Sequence, residues 1–314
     1  MIFLNWMQMK PKTLILRAAG TNGDKELAHA FELAGASTEF VHVNQLLESP
    51  NLLDDFQLLA FPGGFSYGDD IASGRILANQ LHHHLAEPLR RFVGAGKPVI
   101  GVCNGFQILV KTSLLPGAIG GRTGQTCTLA HNTTGRFIDQ WVTLGVQPSK
   151  CIWTNSGQRA VSSEQGAVGS GQGAVGSEQD AVGRAQGAVG SGQGGGKSTS
   201  SDVLELPIAH GEGRFVPADD NVRKALWDNG QVALVYTRPD GSAACGESPH
   251  NPNGSVDDIA GVCDATGLVF GLMPHPERYT HPTHHPAWTR QKPLPDEGRG
   301  LQIFRNAVRY VEGK

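Results

Sequence analysis

The chain has 314 residues, a formal net charge of -3, only 7% aromatic residues and 42 glycines. So weak a net charge excludes a protein that holds nucleic acid or a membrane surface by charge alone. Five cysteines, at 103, 127, 151, 245 and 263, are odd in number and form no C-x-x-C pair, which excludes a disulfide framework and a thiolate zinc site and fits a reducing, cytoplasmic setting.

Residues 1–10 read as an N-terminal extension, too short for a signal peptide or a membrane span, with Met7 and Met9 as further candidate starts. Thr13 to Ala18 reads as a buried strand and Asp24 to Ala34 as a helix with Leu27, Ala30, Phe31 and Ala34 on one face. Strands follow at Ser37 to Val43 and at Phe56 to Phe61, the latter running into Pro62-Gly63-Gly64. Helices are expected at Ile71 to His84 and Ala86 to Ala95, then a strand up to Cys103 and a helix from Asn104 to about Thr112. Continuous apolar strands alternating with helices predict a parallel sheet covered on both faces, with ligands outside the carboxyl ends of the strands. Shorter strands are expected at Thr126 to Ala130, Phe137 to Leu144 and around Ile152. A helix opened by Pro217 runs to Asn229. Val232 to Tyr236, Ile259 to Val262 and Leu268 to Met273 are strands, and Leu301 to Val311 is a closing helix.

Residues 157–200 break this pattern. A Gln-Gly-Ala-Val-Gly-Ser unit recurs every seven residues, yet one valine per glycine-rich copy cannot build a coiled-coil seam. The segment reads as a disordered low-complexity insertion, dividing one domain into residues 11–156 and 201–314. Its closing Gly194-Gly-Gly-Lys-Ser-Thr199 imitates a phosphate-binding loop, but Ser191 stands where that motif needs glycine and no strand precedes it.

Two short runs carry chemistry. In Pro98-Val-Ile-Gly-Val-Cys103-Asn-Gly-Phe-Gln107 a strand stops at a cysteine and a helix begins, which is the pattern of a nucleophile elbow. The dipole and free N–H groups of such a helix start favour a thiolate. In Pro274-His275-Pro276-Glu277-Arg278, which follows a buried strand, His275 and Glu277 are two apart and point the same way in extended backbone. An imidazole is the usual base for a cysteine, and a carboxylate on its other nitrogen orients it, so Cys103, His275 and Glu277 are expected to form a triad. The runs His82-His83-His84 and His281, His284, His285 lack ligand spacing and read as solvated.

Gly101-Val-Cys-Asn-Gly-Phe-Gln-Ile-Leu109 and Met273-Pro-His-Pro-Glu-Arg278 resemble the class I glutamine amidotransferases. Arg17-Ala-Ala-Gly-Thr-Asn22, Phe61-Pro-Gly-Gly-Phe-Ser-Tyr-Gly-Asp-Asp70, Pro207-Ile-Ala-His-Gly-Glu-Gly-Arg-Phe215 and Asn251-Pro-Asn-Gly-Ser-Val-Asp-Asp-Ile-Ala-Gly261 narrow the likeness to the glutaminase subunits of phosphoribosylformylglycinamidine synthase. Gly23 departs from it, standing where relatives commonly carry cysteine. The resemblance implies a flavodoxin-like α/β fold, mostly parallel, with a small antiparallel addition. It implies that Cys103, His275 and Glu277 hydrolyse L-glutamine. The oxyanion would meet the N–H of Asn104 and one from Gly63 or Gly64, alignment favouring Gly64. Gln107, Gly63, His210 and Gly211 would contact glutamine. No metal or cofactor is implied in this chain. ATP and Mg belong to a large synthetase subunit that receives the ammonia for purine biosynthesis, in some systems with a small third subunit. Two alternatives stay open from the residues alone: a cysteine hydrolase or peptidase acting by itself, and a regulatory subunit with a silent site. The polar loops Ser66 to Asp70 and Ala209 to Gly213 read as exposed, facing glutamine or the partner.

Overall fold

Strands and helices form largely where apolar runs and amphipathic stretches alternate. The computed structural model of the protein describes residues 10–69, 73–155 and 203–313. In chain order these give β1 (Lys12–Arg17), α1 (Asp24–Leu33), β2 (Ser37–His42), α2 (Val43–Glu48), β3 (Leu58–Phe61), α3 (Arg75–His84), α4 (Ala86–Gly94), β4 (Val99–Val102) and α5 (Asn104–Lys111). There follow β5 (Cys127–Ala130), β6 (Ile138–Val146), β7 (Val203–His210), β8 (Arg214–Pro217), α6 (Asp220–Asp228), β9 (Val232–Thr237), β10 (Ile259–Cys263), β11 (Val269–Leu272) and α7 (Leu301–Val311). Most of the N-terminal extension, Asp70 and the whole repeat with its Gly-Lys-Ser run lie outside the described residues.

β2, β1, β3, β4 and β11 lie side by side and parallel. β10, β9, β6 and β7 extend the same sheet with antiparallel pairing. β5 and β8 form a separate antiparallel pair. Every residue of β3, β4 and β11 is buried, as strands with both faces covered must be. α1 packs on α7 through Phe31 and Phe304, edge to face with centroids 5.0 Å apart. α5 lies so close on β3 that a methyl group on Gly105 would come within 2.0 Å of the Phe61 carbonyl oxygen.

After β1 the chain turns outward to β2; after β2 it crosses back to β3. The loops that follow β1 and β3 therefore face each other at the strand ends, the place where such sheets open a crevice. They are tied by Gly23 N–H to Gly63 O at 3.1 Å and Phe65 N–H to Gly20 O at 2.9 Å. The Arg17-to-Asn22 motif thus serves as a bed for Gly63-Gly64.

Two expectations are corrected and one strand is added. Ile152 lies in a turn, not a strand: its N–H donates to Gly267 O at 3.1 Å and the neighbouring Trp153 is fully buried, so the apolar run is a core plug. The sixth helix starts at Asp220, because Asp219 caps it by accepting Val222 N–H at 2.9 Å, while Pro217 ends β8. The run Val203 to His210, of which only Pro207 to His210 was singled out from the sequence as part of a motif, is an edge strand; its Pro207 lacks an N–H and is tolerated there. Among the described residues no helix is long and apolar enough to cross a membrane.

Candidate active site

β4 ends at Val102 and α5 begins at Asn104, so Cys103 makes the whole turn, with φ 52° and ψ -106°. That is strained backbone for a residue with a Cβ, of the kind found at reactive elbows. It is held by Cys103 N–H donating to Leu272 O at 2.8 Å and by Gln107 N–H donating to Cys103 O at 3.1 Å. The thiol sits at the first turn of α5, where the N–H groups have no acceptor inside the helix. Sγ is 3.7 Å from the Ala209 carbonyl oxygen at the end of β7.

β11 runs beside β4, with Leu272 opposite Val102, so both strands release their chains at the same edge. His275 N–H then docks on Pro207 O at 2.8 Å. Nδ1 of His275 lies 2.6 Å from Oε1 of Glu277, and both side chains are almost fully buried. Here the structure corrects the local geometry: residues Pro276–Arg278 form a 3-10 turn rather than extended backbone, and that turn folds the carboxylate back onto the imidazole. Nε2 of His275 is buried with no partner at full hydrogen-bonding geometry among the described residues, while Cys103 lies near enough to act on the ring. A methyl group on Gly63 would lie 3.0 Å from Cε1 of His275 and 3.6 Å from Cβ of Cys103, so imidazole and thiol share the space over Gly63. Burial acts to lower the His275 pKa, but the Glu277 carboxylate and Cys103 together outweigh it and raise it to about 10.

Gly64 has φ 141°, and an added Cβ would lie 2.7 Å from Gly20 O and 2.8 Å from Asn22 N, so only glycine fits the bend that follows β3. Asn104 is buried beneath it and links the two loops: its Oδ1 accepts Ser66 N–H at 3.3 Å and its Nδ2 donates to Gln107 Oε1 at 2.8 Å. Gln107 in turn donates from Nε2 to Glu212 O at 2.6 Å. Ser66 is buried, which corrects the expectation that its loop is merely exposed.

These groups open on a cavity of about 270 Å³, lined among others by Gly64, Cys103, Gln107, His210 and Gly211. A larger cavity of about 370 Å³ around Trp153 and Asn306 includes none of them. Phe65 and Phe137, 47% and 53% exposed, stand at the cleft with ring centroids 6.4 Å apart. Asp69 and Glu212 also line it. Burial raises the Asp69 pKa and the Glu212 charge adds to this, while hydrogen bonds from Ser73 and Gly74 and the charge of Lys111 oppose it. Burial lowers the Lys111 pKa against the pull of both carboxylates. Sequence reasoning passed over Phe65, Ser73 and Phe137, and it pointed to Asp69, Ala209 and Glu212 only as members of polar loops facing glutamine or the partner; nothing in their order shows that they share a wall.

His210, expected in an exposed loop, is 2% exposed instead. Its Nδ1 is 3.1 Å from Oδ1 of Asn132. The amide nitrogen of Asn132 donates to His210 O at 2.8 Å and Arg136 O at 2.9 Å, so its oxygen faces the imidazole and Nδ1 carries the proton. Burial, helped by the charge of His275, lowers the His210 pKa to about 3. A depressed imidazole favours folding at neutral pH and loses that contribution as pH falls from about 6.5 toward 3, because the unfolded chain takes up the proton first. His275 has the opposite sign: its contribution is complete below about 6.5 and is lost as pH rises toward 10, so it is constant in the acid window. His210→Asn keeps a donor for Asn132 without the titration. Its urea midpoint should fall less between pH 7 and 4.5 than that of the wild-type protein; equal falls would refute the assignment.

The other histidines divide. His82, His83, His84, His281 and His284 are exposed as expected. His285 is not: it is buried against Trp141 and Tyr279 and reaches Glu205 at 3.2 Å, because the chain folds back over β6 and β7. Among the described residues no group of His, Cys, Asp and Glu could hold a metal.

A strained cysteine backed by a histidine–carboxylate pair, at the carboxyl ends of wound parallel strands, is the arrangement of a cysteine-dependent amide hydrolase or transferase. The CobB/CobQ-like glutamine amidotransferase domain matches residues 10–189 and 197–311. Phosphoribosylformylglycinamidine synthase subunit PurQ of Dehalococcoides mccartyi is 41% identical over 96% of this chain and 98% of its own. Subunit PurQ of Methanococcus maripaludis is 34% identical over 97% of this chain and 98% of its own. In the solved structure of PurLQS from Thermotoga maritima, a chain 28% identical superposes with a TM-score of 0.61, covering 96% of this chain and 100% of that one. The chain belongs to the glutamine amidotransferase family, as a glutaminase subunit of phosphoribosylformylglycinamidine synthase acting in purine biosynthesis.

Proposed function

We propose that Cys103, His275 and Glu277 hydrolyse L-glutamine through a γ-glutamyl thioester. The observation that carries this reading is the buried 2.6 Å contact of His275 with Glu277 beside the Cys103 elbow. The Cys103 sulfur attacks the side-chain amide carbon, and the oxyanion that forms is met by the N–H groups of Gly64 and Asn104. As the C–N bond breaks, His275 delivers its proton from Nε2 to the nitrogen and ammonia leaves. A water then attacks the thioester, His275 takes its proton, and glutamate departs as the sulfur is released. Glu277 holds the imidazole so that Nε2 faces the reacting atoms. Gly63, Gln107, His210 and Gly211 shape the glutamine pocket, and Asp69 and Glu212 supply negative charge for an α-ammonium group.

Ammonia passes to a large synthetase subunit, which uses ATP and Mg to convert formylglycinamide ribonucleotide to its amidine; a small third subunit completes the complex in some systems. The one-piece domain of residues 11–156 and 201–314, acting in the cytoplasm, belongs to the same reading. A glutamine-analogue electrophile incubated with the chain, with and without the synthetase subunit, should add one label at Cys103 by peptide mass spectrometry. A label on another cysteine, or none in either case, sinks the proposal.

A further inference from the structure

The turn Gly211-Glu212-Gly213, whose first two residues wall the pocket, has a physical problem. Two glycines flank Glu212, and a glycine has no side chain with which to fix its own conformation. Yet this turn must be exact in place: the Glu212 carbonyl accepts Gln107 Nε2 at 2.6 Å, and Ala209 just before it puts its carbonyl 3.7 Å from Cys103 Sγ. Its rigidity has to come from elsewhere.

Two buried asparagines from two other loops supply it. Asn132, between β5 and β6, accepts Gly213 N–H on its Oδ1 at 3.1 Å, and its own N–H donates to Gly211 O at 2.9 Å. Asn253, between β9 and β10, donates from Nδ2 to Gly213 O at 2.9 Å and to the Tyr236 hydroxyl at 3.1 Å. Both sides of Gly213 are thus gripped by side-chain amides. The two loops are joined to each other by Thr133 N–H donating to Asn253 O at 3.1 Å. The His210 ring lies across Gly213, where an added Cβ would come within 2.1 Å of it. Asn132 is 3% exposed and Asn253 fully buried, and neither lines the cavity. Buried amides fully matched by partners are costly to disturb, so the clamp is stiff.

We infer that Asn132 and Asn253 are positioning residues that set glutamine affinity by clamping the Gly211–Gly213 turn. This rests on the reading of the Cys103 cavity as a glutamine pocket. It also assigns work to the Asn251-Pro-Asn-Gly-Ser255 motif, which touches no reacting atom.

The test uses the full chain with its synthetase subunit. Wild-type turnover of L-glutamine is measured first; its absence sinks the function assigned to the site, not the clamp. Asn132→Ala and Asn253→Ala should each raise the KM for L-glutamine at least about tenfold and change kcat less than about threefold. The rate of Cys103 alkylation by iodoacetamide, which needs the triad but not the glutamine pocket, should stay within about twofold. Asn306→Ala is the control: it removes a buried bond to Trp153 O, 2.9 Å, and should lower the urea midpoint while leaving KM alone. An unchanged KM in either folded alanine variant overturns the inference. So does alkylation falling in step with kcat/KM, or an equal rise in KM for Asn306→Ala. If an alanine variant does not fold, the aspartates decide at nearly constant volume. Asn132→Asp keeps an acceptor for Gly213 N–H, whereas Asn253→Asp loses the donor to Gly213 O; KM must rise more in the second, and the reverse order overturns the inference.

Discussion

Cys103→Ser should abolish amidine synthesis from glutamine in the assembled synthase and leave synthesis from added ammonia intact. Serine differs by one atom, so the hydrogen bonds that hold the elbow, Cys103 N–H to Leu272 O and Gln107 N–H to Cys103 O, are backbone bonds that survive. What is lost is the sulfur nucleophile, which attacks carbon far more readily than a hydroxyl in the same place. Loss of a nucleophile of this kind costs on the order of 10⁴–10⁶-fold in turnover. The ammonia route bypasses the chain's chemistry, so its rate measures whether the complex is still assembled. Parallel loss of both activities would show that this chain is more than a source of ammonia. Equal retention of both would show that Cys103 is not the nucleophile.

Glu277→Gln should lower glutaminase kcat/KM by about 10²–10⁴-fold and shift its alkaline limb to lower pH. The amide oxygen still accepts His275 Nδ1–H, so the ring keeps its orientation, while the charge disappears from a pair buried in contact at 2.6 Å. Burial disfavours the imidazolium, and the carboxylate is a major reason it persists to about pH 10. Without that charge His275 loses its proton at lower pH and cannot protonate the leaving nitrogen in alkaline solution. A pH profile of kcat/KM for the variant and the wild-type chain measures the shift. An alkaline limb that stays in place would mean that Glu277 acts by orientation alone.

The candidate triad was legible because its signals are short. Cys103 closes a buried strand and opens a helix, and His275 sits between two prolines with Glu277 two residues on; each pattern is complete within ten residues. The same holds for β4, α5 and α7, whose apolar runs or faces are continuous. Ile152 and Pro217 misled because an apolar run and a helix-opening proline carry the same local signal in a core plug and at a strand end. His285 misled for a related reason: a histidine among prolines looks solvated until the chain folds it onto Trp141 and Tyr279.

Order along the chain was enough to single out a candidate nucleophile, an imidazole with a carboxylate two residues on, and the wound α/β sheet, since side-chain chemistry and apolar periodicity are properties of neighbours. Their meeting over Gly63, the burial of His210 and the double asparagine grip on Gly213 were settled in three dimensions. Those depend on β11 pairing beside β4 and on loops 120 residues apart closing on one turn, and such pairings obey packing and hydrogen-bond satisfaction across the whole molecule.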